Sequence, residues 1–251
     1  MYNGNNFKYS NMAILSYGQV GWRPAENSTL WEELYSVWNA DNNALDSFGT
    51  NDGTLMNGTT FTTGKIGQAF NFDGINDYVA LPNSSFDFTG DFSISTWVKI
   101  PSVPSSVNQI FSNSNYDVAT SYGYALAVNT NKTIRFFVGA SIGSSIVTST
   151  TVLALDTWYH VTVTRDSVAK SSSLYINGVF EVQATNINLT ISYGTRAIQP
   201  TIGAYRGNNQ GVLSVSNYFN GQVDALNIWN KKLTSTEIGE LYNGGAGKQY
   251  S

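Results

Sequence analysis

The carboxylates of this chain gather in short loops. "FNFDGINDYV" (70–79) places Asp73, Asn76 and Asp77 between apolar runs, and "DSFGTND" (46–52) places Asp46, Asn51 and Asp52 around a glycine. Such loops can bind a hard cation, which takes six to eight oxygens from side chains and backbone carbonyls. They can equally hold a turn by accepting hydrogen bonds from nearby N–H groups. A third use, glycoside cleavage with retention, needs two carboxyls about 5–5.5 Å apart. The glutamates offer no such pair on a strand: Glu26, Glu32 and Glu33 sit in the opening segment, Glu237 and Glu240 in the closing one, and Glu181 stands alone. His160, the single histidine, alternates with apolar neighbours in "TWYHVTV" and lacks the cysteine or second histidine that a zinc site would use. No GxSxG elbow is present, and "GKIGQAF" is not a phosphate loop.

Sugar recognition needs rings to stack on and amides to read hydroxyls. Tyr116, Tyr122, Tyr124, Tyr193, Tyr205 and Arg206 fall in or beside expected loops, and "YRGNNQG" (205–211) adds Asn208, Asn209 and Gln210. From these, Tyr205, Arg206, Asn208, Asn209 and Tyr122 form the candidate ligand-binding set. Trp97, Trp158 and Trp229 lie in strand motifs and are expected in the core.

Composition bounds the partners. Charged residues make up 12% of the 251 and aromatics 14%, the balance of a chain of strands and turns. A formal charge of −4 and a pI near 4.9, with no basic stripe, argue against nucleic acid. The absence of cysteine excludes disulfides, thiolate zinc sites and a cysteine nucleophile. No stretch approaches a membrane-spanning length, and the first residues lack the charged and apolar regions of a secretory signal.

The elements that must position these residues read as follows. Residues 1–27 form an N-terminal arm ending near Pro24, and 28–251 form one domain. In "STLWEELYSVWN", Thr29 and Glu32 fit a capping box, while a strand could equally begin at Leu34. From Asp41 onward short alternating runs dominate, among them "FSISTWVKI" (92–100), "YALAVNTNKTIRFFVG" with a turn at 129–132, and "WYHVTVTRD" (158–166). Asn177-Gly178 predicts a two-residue hairpin with φ > 0 at both positions. Thr234 and Glu237 predict the capping box of a short C-terminal helix, with Gly244 past its end. The fold class is therefore all-β, an antiparallel two-sheet sandwich or jelly roll with a short C-terminal helix and an N-terminal arm.

The ordered motifs over about residues 34–246 resemble the concanavalin A-like jelly rolls, in particular the laminin G-like (LamG, pentraxin-like) domains. The resemblance rests on "VWNADNNALDSFGTNDGTLMNGTTFTTGKIGQAFNFDGINDYVALPN", "DFSISTWVK", "DTWYHVTVTRD", "LYINGV" and "GQVDALNIWNKKLTSTEIGELYNGG" in that order. It implies that "FDGINDYV" is a tight connection between strands, with Asp73, Asn76 and Asp77 bonding local N–H groups. It also implies a structural calcium between the opening loop and the last strand, held by Asp46, Asn51 and Asp224, with Asp41 a weaker candidate.

The function expected on these grounds is non-enzymatic adhesion to a glycan or host cell-surface molecule. An arm, an adhesion-type domain and no secretory signal suggest a protein assembled inside a cell and working outside it, on a phage virion surface or otherwise extracellular. The arm would then join other capsid or tail proteins. The alternative is a purely structural capsid decoration or fibre protein; a glycan-cleaving hydrolase comes third.

Overall fold

Alternation of apolar and polar residues sorts most of this chain into strands with one face inward. The computed structural model describes residues 28–82, 86–116, 121–140, 143–185, 191, 193, 199–209 and 212–250, so the proposed arm lies outside the described residues. In chain order the strands are β1 (Leu34–Trp38), β2 (Thr54–Met56), β3 (Thr60–Thr63), β4 (Gln68–Asp73), β5 (Tyr78–Ala80), β6 (Phe92–Lys99), β7 (Asn108–Tyr116), β8 (Ser121–Val128) and β9 (Thr133–Ala140). They continue as β10 (Gly143–Val152), β11 (Tyr159–Asp166), β12 (Ser171–Ile176), β13 (Val179–Ala184), β14 (Thr201–Ile202), β15 (Tyr205–Asn209), β16 (Val212–Ser216) and β17 (Asn220–Trp229), followed by helix α1 (Ser235–Tyr242).

The first sheet runs β13-β12-β11-β6-β17-β4-β3, with β1 also on β17; the second runs β10-β9-β8-β7-β14-β5-β2; β15 and β16 form a separate hairpin. All pairings are antiparallel, so the chain is the expected two-sheet jelly roll. Phe70, Phe72, Phe92, Ile94, Val98, Val161, Val163 and Val223 of the first sheet meet Val79, Phe111, Tyr124, Leu126, Phe136 and Val138 of the second in one core. Burial of this apolar area is the main stabilising term, worth about 25 cal/mol per Å² removed from water.

Strict alternation fails once in β17, and the failure is functional for packing. A bulge between Asp224 and Asn227, with Ala225 at φ 47°, adds a residue so that Val223, Leu226 and Ile228 all face inward. Asp224 and Asn227 are thereby buried on the sheet's outer side.

That outer side carries a roof. Val37 and Trp229 join Leu30, Leu34, Leu233, Ile238 and Leu241 in a second apolar cluster beneath α1. Trp229 Nε1 donates to the Leu30 carbonyl at 2.8 Å, tying the first described residues to the last strand. Thr234 caps α1, and its box with Glu237 is present as expected. Thr29 and Glu32 behave differently: residues 30–33 form a turn, Glu33 has φ 56°, and β1 begins at Leu34. Ladder bonds from Leu34–Trp38 to β17 outweigh the local capping preference, and Thr29 Oγ1 donates instead to Glu237 Oε1.

Asn177 and Gly178 take φ 52° and 76° between β12 and β13, the predicted turn. A Cβ at Gly178 would also meet Tyr242 at 3.1 Å. Gly178→Ala is therefore expected to cost about 1–2 kcal/mol, readable as a lowered urea midpoint with unchanged m. An unchanged midpoint would show that the hairpin relaxes freely beneath Tyr242.

Candidate functional site

The acidic loops serve the backbone. Asp73 Oδ1 accepts from the N–H groups of Ile75 and Asn76, and Asp77 accepts from Gly58 through Oδ1 and from Asp73 through Oδ2. With Gly74 at φ 75°, the "FDGINDYV" carboxylates hold a turn. Asp46 goes further and accepts four backbone N–H bonds, from Val37, Phe48 and Gly49 at Oδ1 and from Asn51 at Oδ2. Asn51 Nδ2 donates to Ser36 Oγ at 2.7 Å, while its carbonyl accepts from Trp38 Nε1.

Asp224 lies elsewhere in this arrangement. Its Oδ2 accepts from Lys65 and Ile66 N–H at 2.7 and 2.8 Å, and its Oδ1 is buried without a partner. Burial foremost, with the Asp41 charge adding, pushes its pKa up to about 7 against the opposing Ile66 and Lys65 bonds. Asp46 and Asn51 thus share one network, and Asp224 shares none of its hydrogen bonds. Both Asp46 oxygens and Asp224 Oδ2 face N–H donors, Asp224 Oδ1 faces none, and Asp224 shares no hydrogen bond with the other two, so the three residues are not gathered into the single ligand set that the family resemblance implied. Among the described residues, no cluster of three or more His, Cys, Asp or Glu is placed to hold a metal.

His160 and Ser95 form a pair that resembles a nucleophile and its base, with Ser95 Oγ 2.8 Å from Nε2. Thr162 Oγ1 donates to Ser95 Oγ, which leaves the Ser95 O–H to donate to an unprotonated Nε2 of a neutral imidazole. Nδ1 has no partner, and burial pushes the pKa down to about 3. The pair lies under the roof: Tyr242 stacks on Trp97 and lies against His160, and Ser95 is fully buried. Lacking access and an acid at Nδ1 to orient the ring, it is a packing element.

Beyond the roof's edge the same outer face changes character. Thr60 on β3 is opposite Asn71 on β4, Asn71 opposite Gln222 on β17, and Gln222 opposite Lys99 on β6. Lys99 Nζ then lies 5.0 Å from the centroid of Trp158, just before β11. Asn71 Nδ2 donates to Thr60 Oγ1 at 3.3 Å, and Gln222 Nε2 reaches Asn71 Oδ1 at 3.5 Å, both at the long end of hydrogen bonding. Thr60 is exposed and the other four are half-buried. This corrects the core assignment of Trp158, whereas Trp97 and Trp229 are buried as expected. Alternation does announce Asn71 between Phe70 and Phe72, and Lys99 between Val98 and Ile100. That they form one row depends on sheet order, which no local pattern gives.

The tyrosine and asparagine candidates are dispersed over the second sheet and the separate β15–β16 hairpin. Tyr205 is buried, with its ring against Gly207, and Arg206 is half-buried on β15. Asn208 and Asn209 pair through their backbone with Leu213 and Val212; their side chains, like that of Tyr116, lie outside the described residues. Tyr122 is half-buried on β8 opposite Asn115 of β7. Tyr124 is a core residue whose hydroxyl donates to the Phe86 carbonyl, and Tyr193 donates to the Phe88 carbonyl. Tyr205 and Tyr124 are thus anchors in packing rather than open platforms.

A two-sheet antiparallel jelly roll with a helix-roofed outer face defines a lectin-like class of domain. The family profile of the concanavalin A-like lectin/glucanases superfamily (laminin G type) matches residues 73–239, and the chain belongs to that family. A curated relative, the Botulinum-like toxin eBoNT/J of Enterococcus sp. (strain 3G1_DIV0629), is 27% identical over 168 residues, covering 64% of this chain and 12% of the toxin. Domain 4 of AbnA, an extracellular arabinanase of Geobacillus stearothermophilus solved with arabinotriose, superposes with TM-score 0.60 at 20% identity, over 83% of this chain and 97% of that one. The binding domain of botulinum neurotoxin DC, solved with SialylT, gives TM-score 0.63 at 16% identity, over 85% of this chain and 52% of that domain. The chain thus spans about half of that neurotoxin domain and a small part of the curated toxin.

Proposed function

We propose that this domain is a non-catalytic module that binds a glycan on a host or environmental surface. The observation that carries the proposal is how its polar groups are spent. Asp46, Asp73, Asp77, Asp166, Asp224, Glu181 and Glu237 each accept backbone N–H bonds that hold loops, turns or a helix cap. The outer-face row from Thr60 to Trp158 instead presents amides, a hydroxyl, one ammonium and an indole, groups that bind sugars without cleaving them. The domain-length likeness to an arabinotriose-bound domain supports the same reading.

The test is to pass labelled oligosaccharides over immobilised protein and analyse what is recovered. Retention of at least one glycan class with its chain length unchanged after long incubation is expected. Shortened products would replace this reading with a hydrolase, and retention of none would remove it. Chelator should leave the retained fraction unchanged, because both Asp46 oxygens and Asp224 Oδ2 are taken by N–H donors; loss on chelation would restore a calcium-dependent site.

A further inference from the structure

We infer that the cross-strand row Thr60, Asn71, Gln222, Lys99 and Trp158 is the subsite of this module for an uncharged oligosaccharide laid across the strands. The inference rests on the glycan-binding reading and adds where the ligand lies and what class it is. Neighbouring strands are about 4.8 Å apart, so the four steps from β3 to the start of β11 span roughly 19 Å, the reach of an oligosaccharide rather than one sugar. Donors and acceptors recur along the row, matching the repeated hydroxyls of a glycan.

The row is also under-committed internally. Its two amide bonds are 3.3 and 3.5 Å long, and Gln222 Oε1 is buried without a partner, so a small rotation toward a ligand hydroxyl gains a bond and forfeits little. Trp158 closes the row with a half-buried indole against the Lys99 ammonium, an exchangeable cation–π contact. In the neighbouring row, Trp97 and His160 lie under Tyr242 and Asp224 under the Lys65 and Ile66 backbone, so that row is closed. The row's one ammonium, Lys99, is already on the Trp158 indole, as Lys65 beside the neighbouring row is on Trp97, and none of the row's residues is arginine, which favours an uncharged ligand over a sialylated or sulfated one.

The experiment is a ¹H–¹⁵N titration of the full chain with arabinotriose, cellotetraose and a sialylated trisaccharide, repeated for Trp158→Ala and Arg206→Ala. Expected are shifts of the Trp158 indole and the Asn71 and Gln222 side-chain amides with a neutral sugar. Trp158→Ala should bind at least about tenfold more weakly, with an unchanged spectrum elsewhere, and Arg206→Ala should bind as wild type. Shifts confined to the β15–β16 hairpin would overturn the placement while leaving the glycan reading intact. Preference for the sialylated sugar would overturn the ligand class. No shift with any of the three would overturn both the placement and the reading beneath it.

Discussion

Asp46→Ala is expected to cost about 3–5 kcal/mol of folding stability, the larger of the two effects predicted here. Its carboxylate accepts four backbone N–H bonds, and those from Val37 and Asn51 are buried. Hydrogen bonds to a charged group contribute about 1.5–3 kcal/mol each, and a buried donor left unpaired costs a similar amount. The Phe48 and Gly49 donors can turn to water and add less. Asp46→Asn should lose less than half as much, since Oδ1 survives with three of the bonds and only the Asn51 N–H loses its acceptor. Urea unfolding measures both, and the losses should be equal with calcium and with chelator. A loss under 1 kcal/mol for Asp46→Ala would mean that the loop reorganises at no cost; a loss seen only in calcium would mean that the carboxylate holds a cation.

The second large effect is a concealed pH dependence. Asp224 has its folded pKa raised to about 7, so the folded state holds a proton that the unfolded chain, titrating near 4, releases. Its contribution is fully present below about pH 4 and is lost as pH rises to about 7. His160 has its folded pKa lowered to about 3, so its contribution is present above the unfolded value of about 6.5 and is lost as pH falls toward 3. Between about pH 4 and 6.5 the two slopes oppose each other, one proton against one, and the wild type stays level with respect to this pair.

Removing one partner should expose the other. Asp224→Asn keeps a carbonyl oxygen for the Lys65 and Ile66 N–H groups and offers an amide toward the Asp41 charge. It should match or exceed wild-type stability at pH 8, then lose stability relative to wild type as pH falls from about 7 to 4. His160→Gln should show the reverse slope relative to its own value at pH 4, becoming less stable toward pH 7. Each excursion amounts to a few kcal/mol at about 1.4 kcal/mol per pK unit. Parallel curves for all three proteins would show that neither group titrates in the fold as described.

These effects also mark where sequence ceases to be legible. Short-range signals carried over intact because their physics is local. Asn177-Gly178 supplies two left-handed residues, Thr234 and Glu237 satisfy each other's N–H groups, and "FDGINDYV" bonds largely within itself. Long-range outcomes carried over less well. Thr29 and Glu32 offered a helix cap, but pairing with a strand nearly two hundred residues away won. Asp224 looked like an open ligand, yet its partners at Lys65 and Ile66 are brought to it only by the first sheet's order. The bulge at Ala225 was foreshadowed in "VDALNI", where the apolar spacing goes from three to two, a break in alternation that strands tolerate only with an extra residue.

The candidate ligand residues show the same division. Tyrosines near expected loops were sensible platforms by type, but Tyr124 and Tyr205 are drawn inward because a two-layer core needs large rings. Trp158 went the other way: alternation in "WYHVTVTRD" puts it on the face opposite Val161 and Val163, and at the strand's start, past the helix roof, it stays half-buried over Lys99. The row from Thr60 to Trp158 takes one residue from each of five neighbouring strands or strand ends, so only the assembled sheet reveals it.

The central claim, that this domain binds glycans without cleaving them, is tested most directly by a broad glycan array of neutral and acidic oligosaccharides probed with the purified chain, with calcium and with chelator. The account predicts retention on a set of uncharged oligosaccharides, equal under both conditions and weakened in Trp158→Ala. A blank array with a natively folded protein would contradict it and leave the jelly roll as a scaffold for some other contact.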